Sequence, residues 1–114
     1  MMEDCIFCKI AGKQMGKLVY EDDQVAAFDD LNPQAPVHVL IVPKKHIEQL
    51  AAMQAQDAPL VGHIIQVASK IADERLVSAT GYRVVVNNGR AAGQSVDHLH
   101  FHLLGGRPFG WPPG

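Results

Sequence analysis

The stretch Asp97-His98-Leu99-His100-Phe101-His102-Leu103-Leu104 decides how this chain is read. Three of the six histidines in the 114-residue sequence stand here at strict i, i+2 spacing. Successive side chains of a β-strand point to opposite faces. The spacing therefore predicts a strand over 98–104, with His98, His100 and His102 on one face and Leu99, Phe101 and Leu103 on the other. On a helix the three histidines would scatter by about 200° per step. The apolar set faces a core and leaves a row of imidazoles on the reverse side. At about 3.3 Å per residue the outer two lie roughly 13 Å apart. One metal ion with bonds near 2.0–2.1 Å cannot reach all three, although an adjacent pair could share one. The other use is nucleophilic. Neutral imidazole attacks phosphorus and leaves again, and its pKa near 6.5 keeps much of it neutral at pH 7. A neighbouring ring can donate a hydrogen bond or relay a proton.

The segments around this stretch complete the outline. Asn87–Ser95 is a polar loop whose amides, hydroxyl and glycine backbone suit close approach to a phosphate. Tyr82–Val86 reads as a strand, Val37–Val42 as a buried strand, and Leu18–Glu21 with Val25–Phe28 as a hairpin. His46–Met53 reads as a short helix. A longer helix is capped by Asp57, holds Pro59 in its first turn, and carries the buried stripe Leu60, Ile64, Val67 and Ile71. About five mostly antiparallel strands and two helices make an α+β fold, a single domain over 1–114. Apolar residues at 47% and charged residues at 19% fit a globular chain. The net charge of −2 lacks the basic excess of a nucleic-acid binder. The longest apolar run, Val37–Val42, falls far short of the roughly 20 residues that span a membrane. The acidic start Met1-Met2-Glu3-Asp4 has no signal-peptide core, so the expected location is cytoplasmic.

His98-Leu99-His100-Phe101-His102-Leu103-Leu104 satisfies every position of the His-φ-His-φ-His-φ-φ signature, and the chain resembles the histidine triad (HIT) family. Ile6-Phe7, Asn32-Pro33-Gln34-Ala35-Pro36 with His38, Pro43-Lys44-Lys45-His46, Gly93-Gln94-Ser95, Gly105-Gly106-Arg107 and Trp111-Pro112-Pro113-Gly114 look like its Hint branch. The resemblance implies a homodimer whose two sheets join into one of ten strands. It implies hydrolysis of a purine nucleoside 5′-phosphoramidate to the nucleoside monophosphate and an amine, with no cofactor needed for the chemistry. On this resemblance His100 is the nucleophile that forms a nucleotidyl-histidine, and His102 holds a phosphate oxygen. His38 and His98 support them, and Ser95 contacts the phosphate or leaving group. Asn87, Gly93 and Gln94 line the same pocket, and Asp30 takes the ribose hydroxyls. Phe7, Ile10, Phe28 and Leu31 wall the base, and Trp111 reaches the partner subunit's site. Two departures stand out: Asp97 where relatives often carry tyrosine, and Ala92 where glycine is common. His63 matches no family site and reads as structural, and Lys44-Lys45 as a solvated turn.

Cys5-Ile6-Phe7-Cys8 reads as a redox pair, half a zinc site or two free thiols. The resemblance supplies two further ligands, so that Cys5, Cys8, His46 and His98 would hold a structural Zn²⁺. Three other activities compete with the phosphoramidase. A dinucleoside polyphosphate hydrolase differs in substrate. A metal-dependent hydrolase would hold its ion on two triad histidines, but no acidic third ligand stands at an obvious spacing. A non-catalytic nucleotide-binding dimer would have no need of His100.

Overall fold

The computed structural model describes residues 4–114, so most of the acidic start lies outside the described residues. Helix α1 spans Ile6–Ala11, followed by strands β1 (Tyr20–Glu21), β2 (Val25–Asp29) and β3 (Val37–Pro43). Helix α2 spans Ala58–Glu74, and strands β4 (Tyr82–Val86) and β5 (Phe101–Gly105) complete one antiparallel sheet in the order β1-β2-β3-β5-β4. Five antiparallel strands and two helices are the α+β architecture read from the sequence.

The sheet separates two apolar layers. On one face Val25, Ala27, Val39, Ile41, Leu99, Phe101 and Leu103 pack under α2, whose stripe Leu60, Ile64, Val67 and Ile71 is buried as its helical spacing predicts. On the other face Ala26, Phe28, Leu40 and Val42 pack under α1 through Phe7 and Ala11. β3 is covered on both faces, which is why its sequence is apolar almost throughout. The register sets Leu40 opposite His102 and His38 opposite Leu104, so β3 and β5 bring their histidines to the α1 side of the sheet.

Four expectations need correction. The last strand starts at Phe101, not His98. His98 and Leu99 leave the ladder because Leu99 N–H donates to the Ile47 carbonyl at 2.6 Å. The apolar and histidine faces still alternate, but the imidazoles are covered: His98 and His100 are 0% and 6% exposed. His46–Met53 forms no α-helix, only a 3₁₀ turn at Leu50–Ala52. Its carbonyls are taken elsewhere, Ile47 by Leu99 N–H and Glu48 by the Gln94 amide at 2.8 Å. The second helix is instead α1, which starts at the cysteine pair. Asp57 does stand at the N-terminus of α2, but its carboxylate accepts from Gln54 N–H and the Lys45 ammonium instead of capping that helix. Lys44 likewise pairs with Glu21 at 2.6 Å, so neither lysine is merely solvated. Among the described residues no helix is long and apolar enough to cross a membrane.

Candidate active site

A cavity of ≈ 510 Å³ opens on the α1 side of the sheet. Its apolar wall comes from Ile6, Phe7 and Ile10 of α1, Leu18 and Val19 before β1, Phe28 and Leu31. The Phe7 ring meets Phe28 edge-on at 5.4 Å and His100 at 5.0 Å. Its polar end is formed by Asp30, Ser95, His100 and His102. An apolar slot ending in hydroxyl and imidazole groups suits an aromatic ring joined to a polar, anionic group.

Backbone groups fix where the protons of these imidazoles sit. The Nδ1 of His100 is 2.7 Å from the His98 carbonyl oxygen. A carbonyl only accepts, so Nδ1 carries the proton and Nε2 keeps its lone pair. On the neighbouring side, Gln34 N–H donates to His38 Nδ1 at 3.0 Å. His38 must then carry its proton on Nε2, which is 2.9 Å from His102 Nδ1 and 3.3 Å from Asp30 Oδ2. His102 Nδ1 accepts, which leaves its proton on Nε2. The result is a bare nitrogen on His100 next to an N–H on His102, their rings 5.1 Å apart. Burial, with the neighbouring His100 and His38 rings adding to it, holds the His102 pKa down at about 4, and burial also lowers His38. Both are neutral at pH 7, as the tautomer chain requires.

The chain from Gln34 also bears on metal binding. Asp30, His38 and His102 offer three ligand atoms close together, supplying the acidic third ligand that the sequence does not reveal. A metal on His38 Nε2 needs the proton on Nδ1, but there the Gln34 N–H already points at the ring. The backbone thus opposes a metal at this end of the cavity.

The second cluster has the opposite proton arrangement. Cys5 caps the N-terminus of α1, and its sulfur accepts from Cys8 N–H at 3.4 Å, so both sulfurs gather at one end of the helix. His98 Nδ1 lies 3.2 Å from Cys5 Sγ and 3.5 Å from Cys8 Sγ, and His46 Nδ1 lies 3.2 Å from Cys8 Sγ. A tetrahedral zinc with ordinary Zn–S and Zn–N bonds sets sulfur and nitrogen about 3.6 Å apart. His98 Nε2 is 2.9 Å from the Pro43 carbonyl, so it carries the proton and Nδ1 presents its lone pair to the sulfurs. Both cysteines are free thiols. Burial and the neighbouring Cys5 raise the Cys8 thiol to about 11. Donor chemistry, spacing and tautomer all fit a Cys₂His₂ metal site.

The cavity therefore brings together Phe7, Ile10, Phe28, Asp30, Leu31, Ser95, His100 and His102, with His38 and His98 behind them. It is not lined by Asn87, Gly93 or Gln94. The Gln94 amide is fully engaged, accepting from Gly89 N–H and donating to the Glu48 and Val96 carbonyls, so it braces the loop that carries Ser95. Gly93 closes the 3₁₀ turn at Arg90–Ala92 with φ 96°, a conformation that favours glycine. Ala92 lies in that turn and is exposed. Asp97 turns toward Arg90, 3.9 Å away, and not into the cavity. Trp111 is 84% exposed and away from this chain's own cavity. His63 bonds Asp22 at 2.6 Å and ties α2 to the hairpin, the structural part expected of it. Sequence reading missed Ile6, Gly16, Lys17, Leu18, Val19, Asp29, Leu40 and Val96. Leu40 was recoverable from strand pairing, since it stands directly across from His102.

The HIT domain matches residues 11–109. The chain belongs to the HIT domain family. It is 51% identical over its whole length to an uncharacterized HIT-like protein of Synechocystis that it also covers completely. It is 44% identical to the purine nucleoside phosphoramidase of Escherichia coli K12, over 96% of this chain and 93% of that one. Its HIT fold superposes on the crystal structure of a HIT family hydrolase from Legionella pneumophila with a TM-score of 0.94, at 46% identity over 97% of this chain and 100% of that one.

Proposed function

We propose that this HIT protein hydrolyses the P–N bond of purine nucleoside 5′-phosphoramidates through a nucleotidyl-histidine intermediate. The observation that carries the reading is the bare Nε2 of His100, dictated by the His98 carbonyl, next to the Nε2–H of His102. Similarity to a purine nucleoside phosphoramidase supports the choice of bond. The base enters the slot between Phe7, Ile10, Phe28 and Leu31, and Asp30 accepts from the ribose hydroxyls. His100 Nε2 forms a bond to the α-phosphorus as the P–N bond breaks, and the amine departs with a proton handed over by Ser95 or water. His102 donates to a phosphate oxygen as charge grows there. Water then attacks the phosphorus and gives up a proton to Ser95 or solvent, replacing the one that left with the amine, the His100–P bond breaks, and the monophosphate and neutral His100 are restored.

Two further features belong to the same reading. A structural Zn²⁺ held by Cys5, Cys8, His46 and His98 would pin α1 to the sheet and supply no chemistry to the reaction. A homodimer would join two copies along β4, a five-residue edge strand whose outer side has no strand partner among the described residues. The sheet's other edge, β1, is only two residues long. A dimer also gives the exposed Trp111 a neighbouring subunit's cavity to reach.

The test is single-turnover release of a fluorescent amine from an adenosine 5′-phosphoramidate at saturating substrate, for the parent and His100→Ala, each with and without chelator. Release by the parent, lost in His100→Ala and indifferent to chelator, is the expected result. A folded parent that binds AMP but releases no amine would make the protein a non-catalytic nucleotide binder. Sedimentation at twice 12.4 kDa checks the dimer.

A further inference from the structure

Helix α1 is only six residues long, too short to hold its shape unaided. It nevertheless serves two sites. Its N-terminal end carries the sulfurs of Cys5 and Cys8, aimed at His46 and His98. Between those cysteines stands Phe7, 7% exposed, whose ring packs on Phe28 and His100 and walls the nucleoside cavity. A second connection runs through one residue. His98 turns its ring to the sulfurs and its carbonyl to the Nδ1–H of His100. Whatever orders the sulfur cluster therefore orders both the wall against which a base would stack and the carbonyl that sets the tautomer of His100.

From this arrangement, and resting on the nucleotide reading above, we infer that the Cys5/Cys8/His46/His98 cluster and the nucleotide cavity are thermodynamically coupled through Phe7 and His98. A thiophilic divalent cation in the cluster raises affinity for nucleotide, and nucleotide raises affinity for the cation by the same factor. The cause is entropic. Four ligand bonds across α1, residue 46 and residue 98 order Phe7 before the base arrives, so the base no longer bears that ordering cost. Linkage makes the effect reciprocal. Phe7 is here a positioning residue for the cluster's influence as well as a wall of the cavity. Nucleotide at saturation has already ordered Phe7 and the His98 carbonyl, with or without the cation, so the coupling shows as a change in KM and not in kcat.

The experiment is a pair of titrations on the full chain. AMP affinity is measured by calorimetry with the metal-free and Zn²⁺-loaded protein, and Zn²⁺ affinity by competition with a chromophoric chelator, without AMP and at saturating AMP. We expect both factors to agree and to be at least about fivefold, the lower end of ordinary allosteric coupling. In Phe7→Leu the factor falls toward one, whatever Zn²⁺ affinity the variant shows without AMP, and a factor that stays at the parent value overturns the role of Phe7. In Cys5→Ser/Cys8→Ser, checked for folding by circular dichroism, AMP affinity no longer responds to Zn²⁺. AMP bound equally well with and without Zn²⁺ overturns the coupling and leaves the nucleotide reading intact. An undiminished response in the double cysteine variant overturns it as well, since the cation then acts elsewhere. Failure to bind Zn²⁺ overturns the cluster's role. Failure to bind AMP in any state overturns the nucleotide reading and the coupling together.

Discussion

Replacing His38 by alanine tests the proton chain that runs from Gln34 N–H through His38 to His102. His38 is 5% exposed and its Nε2–H is the donor to His102 Nδ1 at 2.9 Å. Without it, His102 has two choices. It can keep its proton on Nε2 and leave a buried acceptor unpaired, at about 1–3 kcal/mol. Or it can move the proton to Nδ1 and lose the donor facing the phosphate, a loss of about 2.7–4 kcal/mol in transition-state stabilisation. The reactive tautomer stays accessible at the smaller cost, which caps the loss. The single-turnover rate should therefore fall roughly 5- to 150-fold, taking about 1.36 kcal/mol per factor of ten. His38→Gln retains an amide N–H able to reach His102 and should recover part of the rate. The assay is amine release from an adenosine 5′-phosphoramidate, with ¹⁵N shifts of His102 reporting its tautomer. A folded His38→Ala protein working at the parental rate, or His38→Gln no better than alanine, would refute the proton chain.

Three other outcomes are expected. A Cβ on Gly105 would sit 2.9 Å from Val77 Cβ, so Gly105→Ala should lose about 1–3 kcal/mol in chemical denaturation, and adding Val77→Ala should restore part of it. His102 is held at about 4 and His38 below 6.5, so the unfolded chain binds more protons than the folded one between those values. The stability from keeping them neutral is full above about pH 6.5 and drains as pH falls toward 4. A thermal melt series should show this slope, and His102→Asn should reduce it in part, since burial holds His98 at about 4 as well. Zinc at a hundredfold its dissociation constant should stabilise the protein by about 2.7 kcal/mol, an increment that Cys8→Ser abolishes.

Much of the fold was legible because its signals are periodic. The alternation in 98–104 named the faces of β5, and the Leu60-Ile64-Val67-Ile71 spacing named the buried side of α2. The start of β5 and the segment His46–Met53 were misread for one cause, which is partners distant in sequence. His46–Met53 has helical composition, but its carbonyls serve residues about fifty positions away. Helix α1 escaped notice because six residues carry little periodicity and the cysteine spacing drew attention to chemistry instead. Its apolar residues Phe7, Ile10 and Ala11 do follow the i, i+3, i+4 rule. Within the site, residue types at 38, 98, 100 and 102 were readable, but proton positions were not. These depend on the backbone atoms of Gln34, Pro43 and His98, which no residue type announces.

Those backbone atoms have a consequence for how the site tolerates change. Gln34 supplies its main-chain N–H to His38, while its side chain only reaches the nearby Asn32 carbonyl. The functional demand at position 34 is therefore almost blind to side-chain identity. Nineteen amino acids possess that N–H and proline alone lacks it. Drift at this position can run freely through sequence space and still leave the imidazole protons where they are, until it meets the one residue that removes the hydrogen. The most exacting part of the site is thus written in the path of the chain, where counting identical residues among relatives would not find it.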